Sequence, residues 1–238
     1  PLHVEVSDLE PALRALLKLG FVGVNITVPH KETAIGIADR VSTTADRIGA
    51  ANTLTFGDDG TIYADNTDAY GFDQNLRQNA PDWHPSTGPA VVFGAGGAAR
   101  AVIVALLDAG VPEIRVANRT LSRAEAMKDQ FGDRVTVTSW EKASDALEDA
   151  ASVVNTTSLG MTGQAPWSVP LDSLRTEAVV TDLVYTPLQT PLLKAASAKG
   201  CQCVDGLGML LHQGVPGFER WFGTRPEVDQ ATREAVLR

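Results

Sequence analysis

In the second half of the chain, short runs rich in Val, Ile and Thr alternate with amphipathic stretches of helical period. The runs predict strands at 90–93, 113–117, 134–138, 152–155, 178–182 and 202–204, and the intervening pattern predicts helices at 97–109, 121–131 and 190–199. Regular β-α alternation of this kind makes a parallel, doubly wound sheet. The first half reads differently. Leu9, Leu13, Leu16 and Leu17 form one apolar face of a helix over 7–20, with Ser7 and Glu10 as a capping box and Gly20 as its stop. A strand over 22–28 alternates apolar Val24, Ile26 and Val28 with polar Asn25 and Thr27, ends at Pro29, and is followed by a helix starting near His30. Residues 53–56 and 61–64, joined by Gly57-Asp58-Asp59-Gly60, predict a hairpin. A helix over 68–79, a polar proline-rich connector over 81–89 and an amphipathic helix over 208–222 complete an α/β chain.

Chemistry enters at the first turn of the regular region. Val91-Val92-Phe93 runs into Gly94-Ala95-Gly96-Gly97-Ala98-Ala99, which fits Gly-x-Gly-x-x-Ala at the junction of a strand and a helix. Alone, such a loop is as readily a tight turn. Between a strand and a helix it holds a dinucleotide pyrophosphate against the helix N-terminal amides. The next strand runs into Asn118-Arg119-Thr120, with Arg123 one turn on, where an NAD-binding chain carries an acidic residue for the ribose hydroxyls. Arginines there suit the 2′-phosphate of NADP, although singly they are most often solvated. The loop and the arginines together point to NADP as cofactor.

With 238 residues the chain can bury substantial cores, and its net charge of −9 argues against nucleic acid or an anionic membrane as partner. The absence of an apolar run of spanning length suggests a cytoplasmic protein. Cys201 and Cys203 read as buried reduced thiols on opposite faces of a strand, without the further ligands a metal site needs, so no metal is expected. The chain opens at Pro1, in mid-pattern, which suggests that an N-terminal piece is missing.

Further polar clusters stand out. Asn25 and Thr27 leave their strand on one face, and Lys31 follows at a helix start. Asn52-Thr53 precedes the hairpin, and Asp65-Asn66-Thr67-Asp68 follows it. Individually these are ordinary features: a lone lysine is usually surface, and Thr67 or Asp68 could serve as a helix N-cap.

Taken together, the segments GVNITVPHK, GAANT, DNTDAYG, GAGGAAR, NRTLSR, NTTSLGM, DLVYTP and DGLGMLLHQ occur in an order and spacing that resembles the shikimate dehydrogenase family over essentially the whole chain. The resemblance implies a small α/β substrate-binding lobe at 1–67, a Rossmann-like NADP-binding domain at 68–205 and C-terminal helices at 206–238 that return to the substrate lobe. It implies an NADP-dependent oxidoreductase of the shikimate pathway in aromatic amino-acid biosynthesis, reversibly reducing the C3 ketone of 3-dehydroshikimate to shikimate, as a monomer or homodimer.

Carried over by position, the family's catalytic pair is Lys31 and Asp68, clasping the reacting oxygen and its neighbouring hydroxyl. Asn25, Thr27, Asn52, Asp68, Tyr185 and Gln213 match substrate contacts. Gly94, Ala95, Gly96, Gly97 and Ala98 would wrap the pyrophosphate, Asn118, Arg119, Thr120 and Arg123 would take the adenosine phosphate, and Leu183, Gly206 and Met209 lie near the nicotinamide. As isolated residues, Asn52 and Gln213 are more often structural, and Leu183 and Met209 are as readily plain packing. One departure stands out: the family's early Ser-x-Ser motif, which holds the substrate carboxylate and helps separate shikimate from quinate users, does not precede Gly23. A catabolic quinate/shikimate dehydrogenase and a ligand-sensing relative without turnover therefore stay open as alternatives. Retention of both Lys31 and Asp68 speaks against the sensor.

Overall fold

The computed structural model describes residues 1–238. Two separate sheets organise it. The first contains β1 (Gly23–Asn25), β2 (Arg40–Val41), β3 (Thr53–Phe56) and β4 (Ile62–Asp65), in the order β1-β3-β4-β2. β3 is antiparallel to both β1 and β4, and β2 runs parallel to β4. Register sets Asn25 beside Thr53 and Thr53 beside Asp65, so polar residues from three strands line up at one end of the sheet. Helices α1 (Leu9–Lys18), α2 (Lys31–Ile37) and α3 (Thr43–Ile48) accompany this sheet over a core that includes Leu9, Leu13, Ile26, Leu54 and Ile62.

The second sheet holds β5 (Ala90–Phe93), β6 (Ile114–Asn118), β7 (Val135–Ser139), β8 (Ser152–Asn155), β9 (Val179–Asp182) and β10 (Gln202–Val204). All are parallel, in the order β10-β9-β8-β5-β6-β7. Every residue of β5, β8 and β9 is buried, as expected where helices cover both faces. α5 (Gly97–Ala109) and α6 (Leu121–Phe131) share one core, and α7 (Pro191–Lys199) packs into the other. The order reverses at β5, between β6 and β8, and ligands of open α/β sheets bind outside the strand ends at such a point. α4 (Asp68–Asn79) and α8 (Leu207–Phe222) pack along each other, and α8 also reaches β3 of the first sheet. A last helix, α9, spans Gln230–Val236. No helix is long and apolar enough to cross a membrane.

Several expectations require correction. The capping box at Ser7 does not form. A short 3₁₀ turn, Val6–Asp8, moves the helix start to Leu9, so Glu10 falls at the second helical position, too early to reach back. The strand expected over 22–28 pairs only at Gly23–Asn25, and beyond the Ile26 N–H···Asn52 carbonyl bond of 2.7 Å the backbone leaves β3. Val28 is consequently exposed. Cys201 and Cys203 contact the same apolar cluster rather than opposite faces, because residues two apart on an extended chain share a side.

The short elements β2 and α3, and the bounds of α9 within the C-terminal helices, were not anticipated. Their lengths of two, six and seven residues are too short to show a period, although local caps mark the helices. Ser42 Oγ accepts from Ala45 N–H before α3, and Asp229 Oδ1 accepts from Thr232 N–H before α9.

Candidate active site and cofactor cleft

Lys31 opens α2 and Asp68 opens α4, which brings two helix starts together across the end of the first sheet. The Lys31 ammonium donates to Asp68 Oδ2 at 2.6 Å. The Asp68 side chain is only 5% accessible, against 22% for Lys31, so the carboxylate is walled in and the ammonium faces the cavity. The second Asp68 oxygen accepts from Asn52 Nδ2 at 2.8 Å.

Asn52 is the hub. Its amide also donates to Gln213 Oε1 at 3.1 Å, and its oxygen accepts from Thr53 Oγ1 (3.0 Å), Thr67 N–H (2.8 Å) and Thr67 Oγ1 (3.1 Å). Protein partners thus occupy the whole amide, which is 2% exposed. Asn25 Nδ2 joins through the Asn52 carbonyl and Thr53 Oγ1, both at 3.3 Å. Neither Thr67 nor Asp68 caps α4 with its side chain. Asn66 Oδ1 accepts the Asp68 N–H at 2.9 Å instead, which leaves the Asp68 carboxylate for Lys31 and Asn52. Asn66, Thr53 and Thr67 were missed as supports; their signal is polarity at fully buried positions, which a sequence does not display.

A cavity of about 190 Å³ opens in front of the pair, lined by Lys31, Asp68, Ala98, Leu183, Tyr185, Gly206, Met209, Leu210 and Gln213. Ala98, Leu183 and Tyr185 also line a neighbouring cleft of about 370 Å³ with Thr156, Thr157, Ser158 and Met161, so the two spaces meet. Gly206 lies against the Leu183 carbonyl, 2.3 Å from where a Cβ would sit, so a side chain there would push the two loops apart. Asn25 and Thr27 line neither of these spaces: both are exposed and line an apolar groove with Leu13, Val24 and His30. The largest cavity, about 440 Å³, is flanked by Tyr70, Asp73, Arg77 and Asp108 and does not include Lys31 or Asp68.

The cofactor fit rests on the glycine loop. Gly94 has φ +108°, and a Cβ there would lie 2.5 Å from Thr156 Oγ1, so only glycine suits the turn. In α5 the first bond back to the loop is Arg100 N–H to the Gly96 carbonyl, at 3.1 Å, so the amides of Gly97, Ala98 and Ala99 precede the helical ladder. Above Gly96 and Gly97 a Cβ would meet nothing within 4 Å, which is the open cradle a pyrophosphate needs. At the end of β6, Arg119 and Arg123 are exposed and form no ion pair, and Asn118 Nδ2 ties down the Thr120 carbonyl at 2.8 Å. These residues fit NADP: amides for its pyrophosphate, and two free guanidiniums for its 2′-phosphate.

Behind the cleft, Asp182 is completely buried. Burial pushes its carboxyl up to about 6, against the opposing hydrogen bonds from Thr190, the Val184 N–H and Asn155. An unfolded aspartate titrates near 3.9, so the native state holds this proton more tightly. The group therefore stabilises the fold most below about pH 4, and about 3 kcal/mol of that contribution is lost as the pH rises to about 6. We expect urea unfolding of Asp182→Asn, measured against the parent at pH 4 and pH 7, to show the stability difference moving in the variant's favour by up to about 3 kcal/mol as the pH rises. A difference independent of pH would contradict this.

A lysine–aspartate pair in a cavity that meets the cleft beside a Gly-x-Gly-x-x-Ala turn, at the switch point of a parallel sheet, is the constellation of a nicotinamide-dependent oxidoreductase. Comparison with known proteins then gives the family. Residues 1–54 match the shikimate dehydrogenase substrate-binding domain, 78–161 the shikimate/quinate 5-dehydrogenase model, and 206–237 the shikimate 5′-dehydrogenase C-terminal domain. An NADP(+) shikimate dehydrogenase of Cereibacter sphaeroides (strain ATCC 17023) is 63% identical over 237 residues, covering all of this chain and 85% of that protein. Its counterpart from Ruegeria sp. (strain TM1040) is 60% identical over the same length, covering 86% of that protein. Among solved structures, the Thermus thermophilus shikimate 5-dehydrogenase complex with NADP(H) and shikimate is 39% identical with a TM-score of 0.83, covering 94% of this chain and 81% of that one. A Corynebacterium glutamicum quinate dehydrogenase in complex with NAD is 36% identical with a TM-score of 0.90, covering 97% of this chain and 82% of that one. The chain belongs to the shikimate dehydrogenase family.

Proposed function

We propose that this chain catalyses the NADP-dependent, reversible reduction of 3-dehydroshikimate to shikimate, with Lys31 and Asp68 at the reacting carbon. NADPH, when bound, supplies the hydride. Its delivery to the C3 carbonyl builds negative charge on the oxygen, and the Lys31 ammonium both stabilises that charge and donates the proton. Asp68 Oδ2, 2.6 Å from the ammonium, fixes its position and balances its charge. Asn52 acts through its neighbours, presenting Asp68 and Gln213 at fixed geometry. Tyr185 and Gln213, which line the cavity, would meet the hydroxylated ring there, and Asn25 and Thr27 would do so only from the groove they share.

We also propose lobes at 1–67 and 68–205, with 206–238 returning to the first. The contact of α8 with β3 supports that arrangement. Net charge −9 supports an enzyme acting on a small molecule rather than on nucleic acid, and we place it in the cytoplasm.

The observation that carries this reading is the junction of the Lys31–Asp68 cavity with the neighbouring 370 Å³ cleft at Leu183, Tyr185 and Ala98, the last of these belonging to the glycine-loop motif. Shikimate is favoured over quinate because the relatives at 60–63% identity are named for shikimate and NADP(+), whereas the quinate enzyme stands at 36%. Asp68→Asn keeps the Asn52 contact but removes the charge that holds Lys31. We expect kcat to fall by about 10²-fold while NADPH affinity stays within about twofold, in steady-state assays and NADPH fluorescence titration. A parent-like kcat would remove Asp68 from the mechanism.

A further inference from the structure

Asp182 is a negative group placed where the reaction has no direct use for it. It ends β9, is wholly inaccessible, and its carboxylate engages neutral partners at the end of β8 and at both ends of the β9–α7 connection. Oδ1 accepts from Asn155 Nδ2 at 2.9 Å and from Val184 N–H at 3.0 Å, and Oδ2 accepts from Thr190 Oγ1 at 2.7 Å. Asn155 and Thr190 are themselves inaccessible.

The loops joined in this way are the walls of the cofactor cleft. Val184 sits between Leu183 and Tyr185, the residues shared by the cleft and the Lys31–Asp68 cavity. The Leu183 N–H is held at 3.0 Å by the Asn155 carbonyl, so the neighbouring amides of the wall are pinned from β8 and from Asp182. On its other side Asn155 Oδ1 accepts from Thr157 N–H (3.0 Å) and Thr157 Oγ1 (2.7 Å). Thr157 adjoins Thr156, against which Gly94 makes its close approach. A hydrogen-bonded chain therefore runs from the N-cap of α7 through the buried Asp182 and Asn155 to Thr157, the neighbour of the residue packed against Gly94.

The chemistry of the donors explains why an aspartate stands here. An amide, a side-chain carboxamide N–H and a hydroxyl all point at one site, and a carboxylate offers acceptors on both oxygens where an asparagine offers one oxygen and a further donor. Burying a charge is costly unless its partners are complete, and that cost makes a misplaced loop unfavourable.

We propose that Asp182 is a positioning residue for hydride transfer: through Val184 N–H and Asn155 it sets Leu183 and Tyr185 at the junction of the cofactor cleft and the catalytic cavity. This rests on the cofactor reading given above. The test compares the parent with Asp182→Ala, Asp182→Asn and Thr190→Val. Titration with 2′,5′-ADP, which reports only the adenosine phosphate end, measures the fraction of folded sites.

Relative to that fraction, we expect Asp182→Ala to raise KM for NADPH and to lower kcat/KM at least about fiftyfold. The deuterium isotope effect with 4-deuterated NADPH should rise as hydride transfer becomes limiting. Asp182→Asn, which keeps the oxygen facing Val184 and Asn155, should recover to within about fivefold of the parent. Thr190→Val should fall between the two, and it decides the matter if Asp182→Ala binds no 2′,5′-ADP. A merely structural role would lower the folded fraction alone, with KM and isotope effect as in the parent, and that result would overturn the proposal. A parent that fails to bind 2′,5′-ADP would overturn the cofactor reading and this proposal with it.

Discussion

Lys31→Ala is expected to lower kcat for ketone reduction by about 10³-fold, with NADPH affinity within about twofold of the parent. The asymmetry follows from placement. Lys31 lines the 190 Å³ cavity but not the neighbouring 370 Å³ cleft, so its loss removes charge stabilisation and the proton donor without altering the turn at Gly94–Gly97. The substitution also leaves Asp68 as a carboxylate walled in with Asn52 as its remaining side-chain partner, which raises the cost of placing a developing oxyanion beside it. Stopped-flow absorbance of NADPH oxidation, with fluorescence titration of binding, measures both quantities. Turnover within a few-fold of the parent would remove Lys31 from the chemistry.

Arg119→Asp is expected to reverse the cofactor choice. A charge-assisted contact to phosphate contributes about 1.5–3 kcal/mol, about 10- to 100-fold in affinity, and an aspartate adds repulsion of the 2′-phosphate while offering an acceptor to the ribose hydroxyl of NAD. The ratio of kcat/KM for NADP over NAD should therefore fall by at least about 100-fold. Arg119 is exposed, as is Arg123, so the parent's NADP affinity should also weaken with added salt more than its NAD affinity does. An unchanged ratio would mean that the end of β6 does not meet the 2′-phosphate.

The chain itself displayed much of the fold because its strongest signals are local. The parallel strands are short runs rich in Val, Ile and Thr set between helical stretches, and α4 spans 68–79 as expected. The glycine loop was equally legible, since Gly94 answers a backbone demand within its own turn. What stayed hidden was non-local. Asn52 reaches Gln213, 161 residues away, and no pattern near either residue announces the bond. Asp182 read as the polar end of a strand; only the packed structure shows it inaccessible and matched to donors from β8 and the N-cap of α7. The strand over 22–28 was over-extended for a similar reason, because alternation continues where the hydrogen-bonding partner does not.

The measurement that bears most directly on the whole account is the appearance of reduced nicotinamide at 340 nm when the purified protein meets each pairing of NADP or NAD with shikimate or quinate. The account predicts rapid reduction of NADP by shikimate, with kcat/KM at least about tenfold above every other pairing. Equal or faster turnover with NAD or quinate, or no turnover by a protein that binds NADP, would contradict it.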